Sequence, residues 1–91
     1  MRLKQEEIRH IKEVIADIFP GAKVYLFGSR LDEQKKGGDI DLFIIAQQPS
    51  FEQKIKALSR LKTRLHKPVD IVLHKDFDRE IEQEALKGVL L

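Results

Sequence analysis

Residues 22–46 read AKVYLFGSRLDEQKKGGDIDLFIIA, and this stretch decides the fold. Its first six residues, 22–27, are rich in β-formers and apolar at the end, so they predict a strand. Gly28-Ser29 terminates that strand, and the polar stretch 30–36 reads as a loop or a single helical turn. Gly37-Gly38 forms a flexible joint before residues 39–46, a second strand and the most apolar run of the chain. Asp39 and Asp41 stand two apart at the start of that strand, so both face one way, about 7 Å apart along the backbone. Two carboxylates on one face can hold a divalent metal. Gly28 admits close backbone approach and Ser29 offers a short hydroxyl donor, both suited to a phosphate. Together these parts suggest a metal-dependent site for a nucleoside triphosphate.

The flanking segments supply a frame. Residues 3–19 predict an amphipathic helix with Ile8, Ile11, Ile15 and Ile18 on one stripe, ended by Pro20-Gly21. Gln47-Gln48-Pro49 breaks the second strand. Ser50 and Gln53 have capping-box spacing, and the helix they open carries Phe51, Ile55, Leu58, Leu61 and Leu65 as its buried stripe. Lys67-Pro68 ends it. Residues 69–73 predict a third strand in which Asp70 points opposite to Val69 and Ile71. Asp76 or Asp78 caps a last helix, with Phe77, Ile81 and Ala85 facing inward, that stops near Gly88; Val89-Leu90-Leu91 is too short to assign. The order α-β-β-α-β-α predicts an α+β fold, a small mixed β-sheet with covering helices, as a single domain over residues 1–91.

Composition narrows the function classes. Of 91 residues, 42% are hydrophobic and 35% charged, with a net charge of only +2. Acids and bases are interleaved rather than gathered on a basic face, which argues against nucleic acid as a partner. The absence of cysteine excludes disulfides, thiolate metal sites and cysteine nucleophiles. No apolar run approaches the ~20 residues of a membrane span, and the charged amphipathic start has no signal-peptide core. The expected location is cytoplasmic.

Asp39, Asp41 and Asp70 are the candidate metal ligands. Each has apolar neighbours in its strand, and an acid in that setting is costly unless it is paired or coordinates a metal. Oxygen-only ligands favour Mg²⁺, or Mn²⁺, over zinc, and acids holding two ions form the clamp used for in-line displacement at phosphorus. Taken singly, Asp39 is equally a turn residue after Gly37-Gly38, and Asp70 a turn or edge residue after Pro68. Asp41, inside its strand, is not explained that way. Arg30 is either a phosphate contact, its fork matching phosphate oxygens, or a solvated surface charge. Lys35 and Lys36 read as solvated loop charges, Tyr25 as a packing residue, and His10, His66 and His74 as surface residues without metal spacing.

Gly28-Ser29, Asp39-x-Asp41 and the later strand acid Asp70 resemble the nucleotidyltransferase signature of the DNA polymerase beta superfamily. The length and element order resemble its minimal nucleotidyltransferase branch, small prokaryotic proteins commonly paired with a helical HEPN-type partner as antitoxin and toxin. The resemblance implies that Gly28 and Ser29, with Arg30 nearby, bind the phosphates of ATP or another nucleoside triphosphate. It implies that Asp39 and Asp41 hold Mg²⁺ and that Asp70 completes the site for the metal that activates the attacking hydroxyl. The implied reaction is attack of that hydroxyl on the α-phosphorus, with pyrophosphate leaving. A single domain leaves no room for an acceptor domain, so the expected acceptor is a hydroxyl on a partner protein and the expected group is AMP. Leu31-Asp32-Glu33 stands where the family often has a small residue and a further glycine, and Gly38 where it often has serine. The acidic pair Asp32-Glu33 motivates an alternative, a stoichiometric toxin-binding antitoxin with weak or no catalysis. A third reading is transfer to a small molecule by a homodimer that supplies the missing wall.

Overall fold

The computed structural model of the protein describes residues 3–28 and 39–91. Ser29, Arg30, the stretch 30–36 and Gly37-Gly38 lie outside the described residues. The elements run α1 (Gln5–Ile18), β1 (Lys23–Phe27), β2 (Ile40–Ile45), α2 (Phe51–Leu65), β3 (Val69–Leu73), α3 (Glu80–Leu86) and β4 (Val89–Leu90). This is the expected α+β order with one addition: the last residues form a short strand, paired antiparallel with β1 through Tyr25–Leu90 and Leu26–Val89.

The sheet order is β3-β2-β1-β4, with β2 antiparallel to β1 and parallel to β3. β2 is therefore internal, which explains its unbroken apolar run: Ile40, Leu42, Phe43 and Ile44 are all fully buried. Its even-numbered residues face α1 and α2. There Ile40, Leu42 and Ile44 join Ile11, Val14, Ile15, Ala57 and Leu61 in the main core. Its odd-numbered residues face the other way, where Phe43 meets Phe27 and Ala85 of α3 in a smaller cluster. A helix pair thus covers one face of the sheet, and the short α3 covers part of the other.

Local signals place the helices. Ser50 Oγ accepts from Gln53 N at 3.1 Å, and Gln53 Oε1 accepts from Ser50 N at 2.8 Å, completing the expected capping box. The Gln53 side chain also donates to the Ile18 carbonyl at 3.0 Å, tying the start of α2 to the end of α1. Glu7 accepts from Lys4 N at 3.0 Å and from Lys67 Nζ at 2.7 Å, joining the start of α1 to the α2–β3 connection.

The helix phases need correction. Leu61 and Leu65 of the expected α2 stripe are buried, and Leu58 packs against the core, but Phe51 is 70% and Ile55 49% exposed. The buried stripe runs through Ala57, Leu61 and Leu65. At 100° per residue, Ile55 lies roughly 120° from the centre of that stripe. Of the residues expected to face inward from the last helix, Ala85 is buried, whereas Phe77, which precedes α3, and Ile81 are 47% and 41% exposed, and Glu82 takes the inner position at 0%. Neither Asp76 nor Asp78 caps α3, whose N-cap is Arg79. Asp76 instead accepts from Asp78 N at 2.9 Å within the preceding turn.

Candidate active site

Strand alternation and register bring the acids together. Asp41 is the second residue of β2 and sits on the α3 side of the sheet, between Ile40 and Leu42, which are buried on the opposite side. Asp70 occupies the same position in β3, exposed between buried Val69 and Ile71. The parallel register pairs Asp41 with Asp70 directly, and the antiparallel register pairs Asp41 with Phe27, the last residue of β1. Adjacent strands lie about 4.8 Å apart, so the two acids are immediate neighbours on one face. Asp39, two residues earlier and exposed, continues that face past the end of β2.

The charges repel. Partial burial raises the Asp41 pKa above its ordinary value, and the charges of Asp70 and Asp39 raise it further. Three acids on one face, with only oxygen donors, form a donor set suited to a hard divalent cation. Among the described residues, no three histidine, aspartate or glutamate side chains converge into a ready-made metal cage. Asp70 Oδ1 accepts from the N–H of Ile71 at 3.0 Å, which turns that carboxylate toward the outer edge of β3. Magnesium characteristically uses one or two protein carboxylates and takes its remaining ligands from phosphates and water, so a full protein cage is not required.

Gly28 abuts the cluster. Its φ of +81° lies in the left-handed region, and a Cβ built on it would fall on the Asp41 carboxylate. The absence of a side chain at Gly28 is what leaves Asp41 its place beside the end of β1. Gly28, Asp39, Asp41 and Asp70 are thus gathered at one end of the sheet, while Ser29 and Arg30 lie outside the described residues.

One cluster escaped sequence reasoning. Glu82 is fully buried, and its carboxylate contacts His74 Nδ1 at 2.6 Å and accepts from Lys75 N at 2.8 Å, Asp76 N at 2.9 Å and Arg79 Nη1 at 3.1 Å. Burial alone raises the carboxyl pKa; the hydrogen bonds from His74 and the two backbone N–H groups outweigh it, and the net shift is downward. His74 also stacks on Phe77 with ring centroids 4.0 Å apart. This network sits at the far end of β3 from Asp70 and anchors α3 to the sheet. The signal was present in the i, i+3 spacing of Glu82 and Ala85 and in the histidine that directly follows the strand.

The family model described as polymerase beta, nucleotidyltransferase, matches residues 9–91, and the chain belongs to that family. Two solved structures share its fold. One is a crystal structure of the toxin–antitoxin pair MntA–HpeT in a tyrosine-to-alanine mutant form, with a TM-score of 0.75 and 22% identity, covering 98% of this chain and 71% of that one. The other is the same pair with two aspartates changed to glutamate, with a TM-score of 0.62 and 23% identity, covering 78% of this chain and 57% of that one. The protein therefore spans about seven-tenths and under three-fifths of those two chains. No curated protein matches it.

Proposed function

We propose that this protein is a Mg²⁺-dependent nucleotidyltransferase that moves AMP from ATP to a hydroxyl of a partner protein, as the antitoxin of a pair with a helical HEPN-type toxin. The observation that carries this reading is the pairing of Asp41 with Asp70 across β2 and β3, beside a glycine whose Cβ would displace Asp41. Family membership supports the transferase chemistry. The toxin–antitoxin complex among the structural neighbours supports a partner protein as acceptor.

Asp39 and Asp41 would hold the metal, with Asp70 completing the site, and Gly28, Ser29 and Arg30 would meet the phosphates. When bound, Mg²⁺ neutralises phosphate charge and lowers the pKa of a coordinated hydroxyl. The acceptor oxygen forms a bond to the α-phosphorus, the bond from that phosphorus to the bridging oxygen breaks, and pyrophosphate leaves. The hydroxyl proton passes to solvent or to a neighbouring carboxylate. Catalysis here is positioning and charge compensation by acids fixed on two adjacent strands. The test is Mg²⁺-dependent labelling of the partner from α-labelled ATP, abolished in Asp39→Asn and in Asp41→Asn. Labelling that persists in both variants refutes the assignment.

A specific observation favours a second reading. Phe77, Ile81, Leu86, Val89 and Leu90 leave a group of exposed apolar side chains around α3 and β4, as a stoichiometric toxin-masking protein requires. A neutralisation assay separates the two: full protection by folded Asp41→Asn at equal dose favours masking, and its failure favours catalysis.

A further inference from the structure

β3 is an edge strand, with β2 on one side and no strand on the other among the described residues. Pro68 O accepts from Ile40 N and Ile44 O from His74 N, so the even-numbered residues of β3 bond inward to β2. Val69, Ile71 and Leu73 therefore aim their backbone groups outward. A groove of about 780 Å³ follows this edge. Asp70, Phe51, Lys54, Lys75 and Arg79 are among the residues that line it.

The two ends of the groove differ in charge. Asp70 belongs to the acid cluster. At the other end, Arg79 Nη1 reaches the Leu73 carbonyl at 3.4 Å, three residues or ~10 Å along the strand from Asp70. Lys54 and Lys75 have no ion-pair partner among the described residues. Arg79 is held by Glu82 at 3.1 Å. Phe51, 70% exposed, adds apolar surface to the lining.

We propose that this groove docks the acceptor: an extended segment of a partner protein laid along β3, its hydroxyl at Asp70 and acidic and apolar residues against Lys54, Lys75 and Phe51. The proposal rests on the transferase reading for the role of Asp70. The Ile71 N–H is taken by Asp70 Oδ1 and the Leu73 carbonyl by Arg79, so the basic end of the groove, rather than a strand ladder, selects the segment by its charge. The spacing requires acidic side chains about three to five residues from the hydroxyl.

The test uses fluorescent nonapeptides with one serine, threonine or tyrosine. Glutamate and leucine are placed three to five residues before or after it, and matched peptides carry lysine in place of glutamate. Binding is read by anisotropy without nucleotide. The acidic peptides are expected to bind at least tenfold more tightly than the lysine peptides. Lys54→Glu/Lys75→Glu should reverse that preference, and Phe51→Ser should weaken binding several-fold; these are surface positions. Lys12→Glu, on the outer side of α1, should change nothing. Charge-blind binding, or unaltered binding by the Lys54→Glu/Lys75→Glu variant, overturns the proposal. So does a homodimer dispersed by the same substitutions in the absence of peptide binding, which assigns the groove to a second copy. Charge-selective binding by a protein that transfers no label from α-labelled ATP supports the groove and refutes the transferase reading instead.

Discussion

Gly28→Ala tests the local geometry on which the site depends, because its cost divides into two separable parts. The first is backbone strain: an L-residue at a φ of +81° is disfavoured by about 1 kcal/mol. Gly21 has nearly the same φ, +77°, but a Cβ there meets nothing within 4 Å, so Gly21→Ala carries the strain alone. The second part belongs to Asp41. The added methyl would occupy the place of Asp41 Oδ2 and stand 3.2 Å from Cγ and 3.4 Å from Cβ. The carboxylate must rotate away, off its preferred rotamer, at a further ~0.5–1.5 kcal/mol. Gly21→Ala is therefore expected to lower stability by about 1 kcal/mol and Gly28→Ala by roughly 1.5–2.5 kcal/mol. In a domain of this size each kcal/mol lowers Tm by ~4–8 °C, which melting curves resolve. A double-mutant cycle isolates the contact: on an Asp41→Ala background the excess cost of Gly28→Ala should vanish. The functional effect should exceed the effect on stability. If the proposed site binds Mg²⁺ and ATP, Gly28→Ala should lose the stabilisation they confer together, and Gly21→Ala should keep it. The reasoning is refuted if Gly28→Ala costs no more than Gly21→Ala, or if its excess survives on the Asp41→Ala background.

Three further predictions concern buried and half-buried acids. Glu82→Ala strands the donors of His74, Arg79, Lys75 and Asp76 in a buried site and is expected to cost ~3–5 kcal/mol in denaturant unfolding. The lowered Glu82 pKa means that its stabilisation is complete above the ordinary value of 4.5. That stabilisation is lost as pH falls through the lower folded value, so Glu82→Gln should flatten the acid limb of a stability–pH curve. Asp41 has the opposite sign: its pKa is raised from 3.8, so without metal its contribution turns unfavourable as pH rises from 3.8 through the folded value. Asp41→Asn should therefore raise the Tm of the metal-free protein at neutral pH and remove the rise in Tm expected of the unaltered protein with Mg²⁺ and ATP; a lower metal-free Tm for Asp41→Asn counts against mutual repulsion.

The parts legible in the sequence were those governed by local rules. The Ser50–Gln53 cap forms within one turn, and both of its hydrogen bonds are present. The orientation of Asp70 follows from strand alternation alone, and β3 has the expected bounds, Val69–Leu73. Features set by tertiary contact were not legible. β4 has two residues and exists through its pairing with β1. The apolar side chains Ile55 and Ile81 suggested helix faces, yet the faces that dock carry the small residues Ala57 and Ala85, which let the helix backbone approach the sheet. A buried glutamate looks improbable in a sequence until four donors are seen to converge on it. The pairing of Asp41 with Asp70 was the least legible, since alternation gives the face and only the β2–β3 register gives the neighbour.

That register has an energetic consequence that ties fold to site. A slip of one residue between β2 and β3 would turn Val69 and Ile71 out of the main core and place Asp70 against it. Burying an unpaired carboxylate and exposing two aliphatic side chains are each worth several kcal/mol. The apolar residues between the acids therefore hold Asp41 and Asp70 side by side although the two repel. The sheet is packed on the α1–α2 side through Ile40, Leu42, Ile44 and Ile71, and that packing opposes the separation the charges favour. Under the proposed function, a cation that relieves the repulsion would gain affinity from strain already built into the folded chain. A nucleotide bringing its own phosphate oxygens would then supply the remaining ligands of that proposed site.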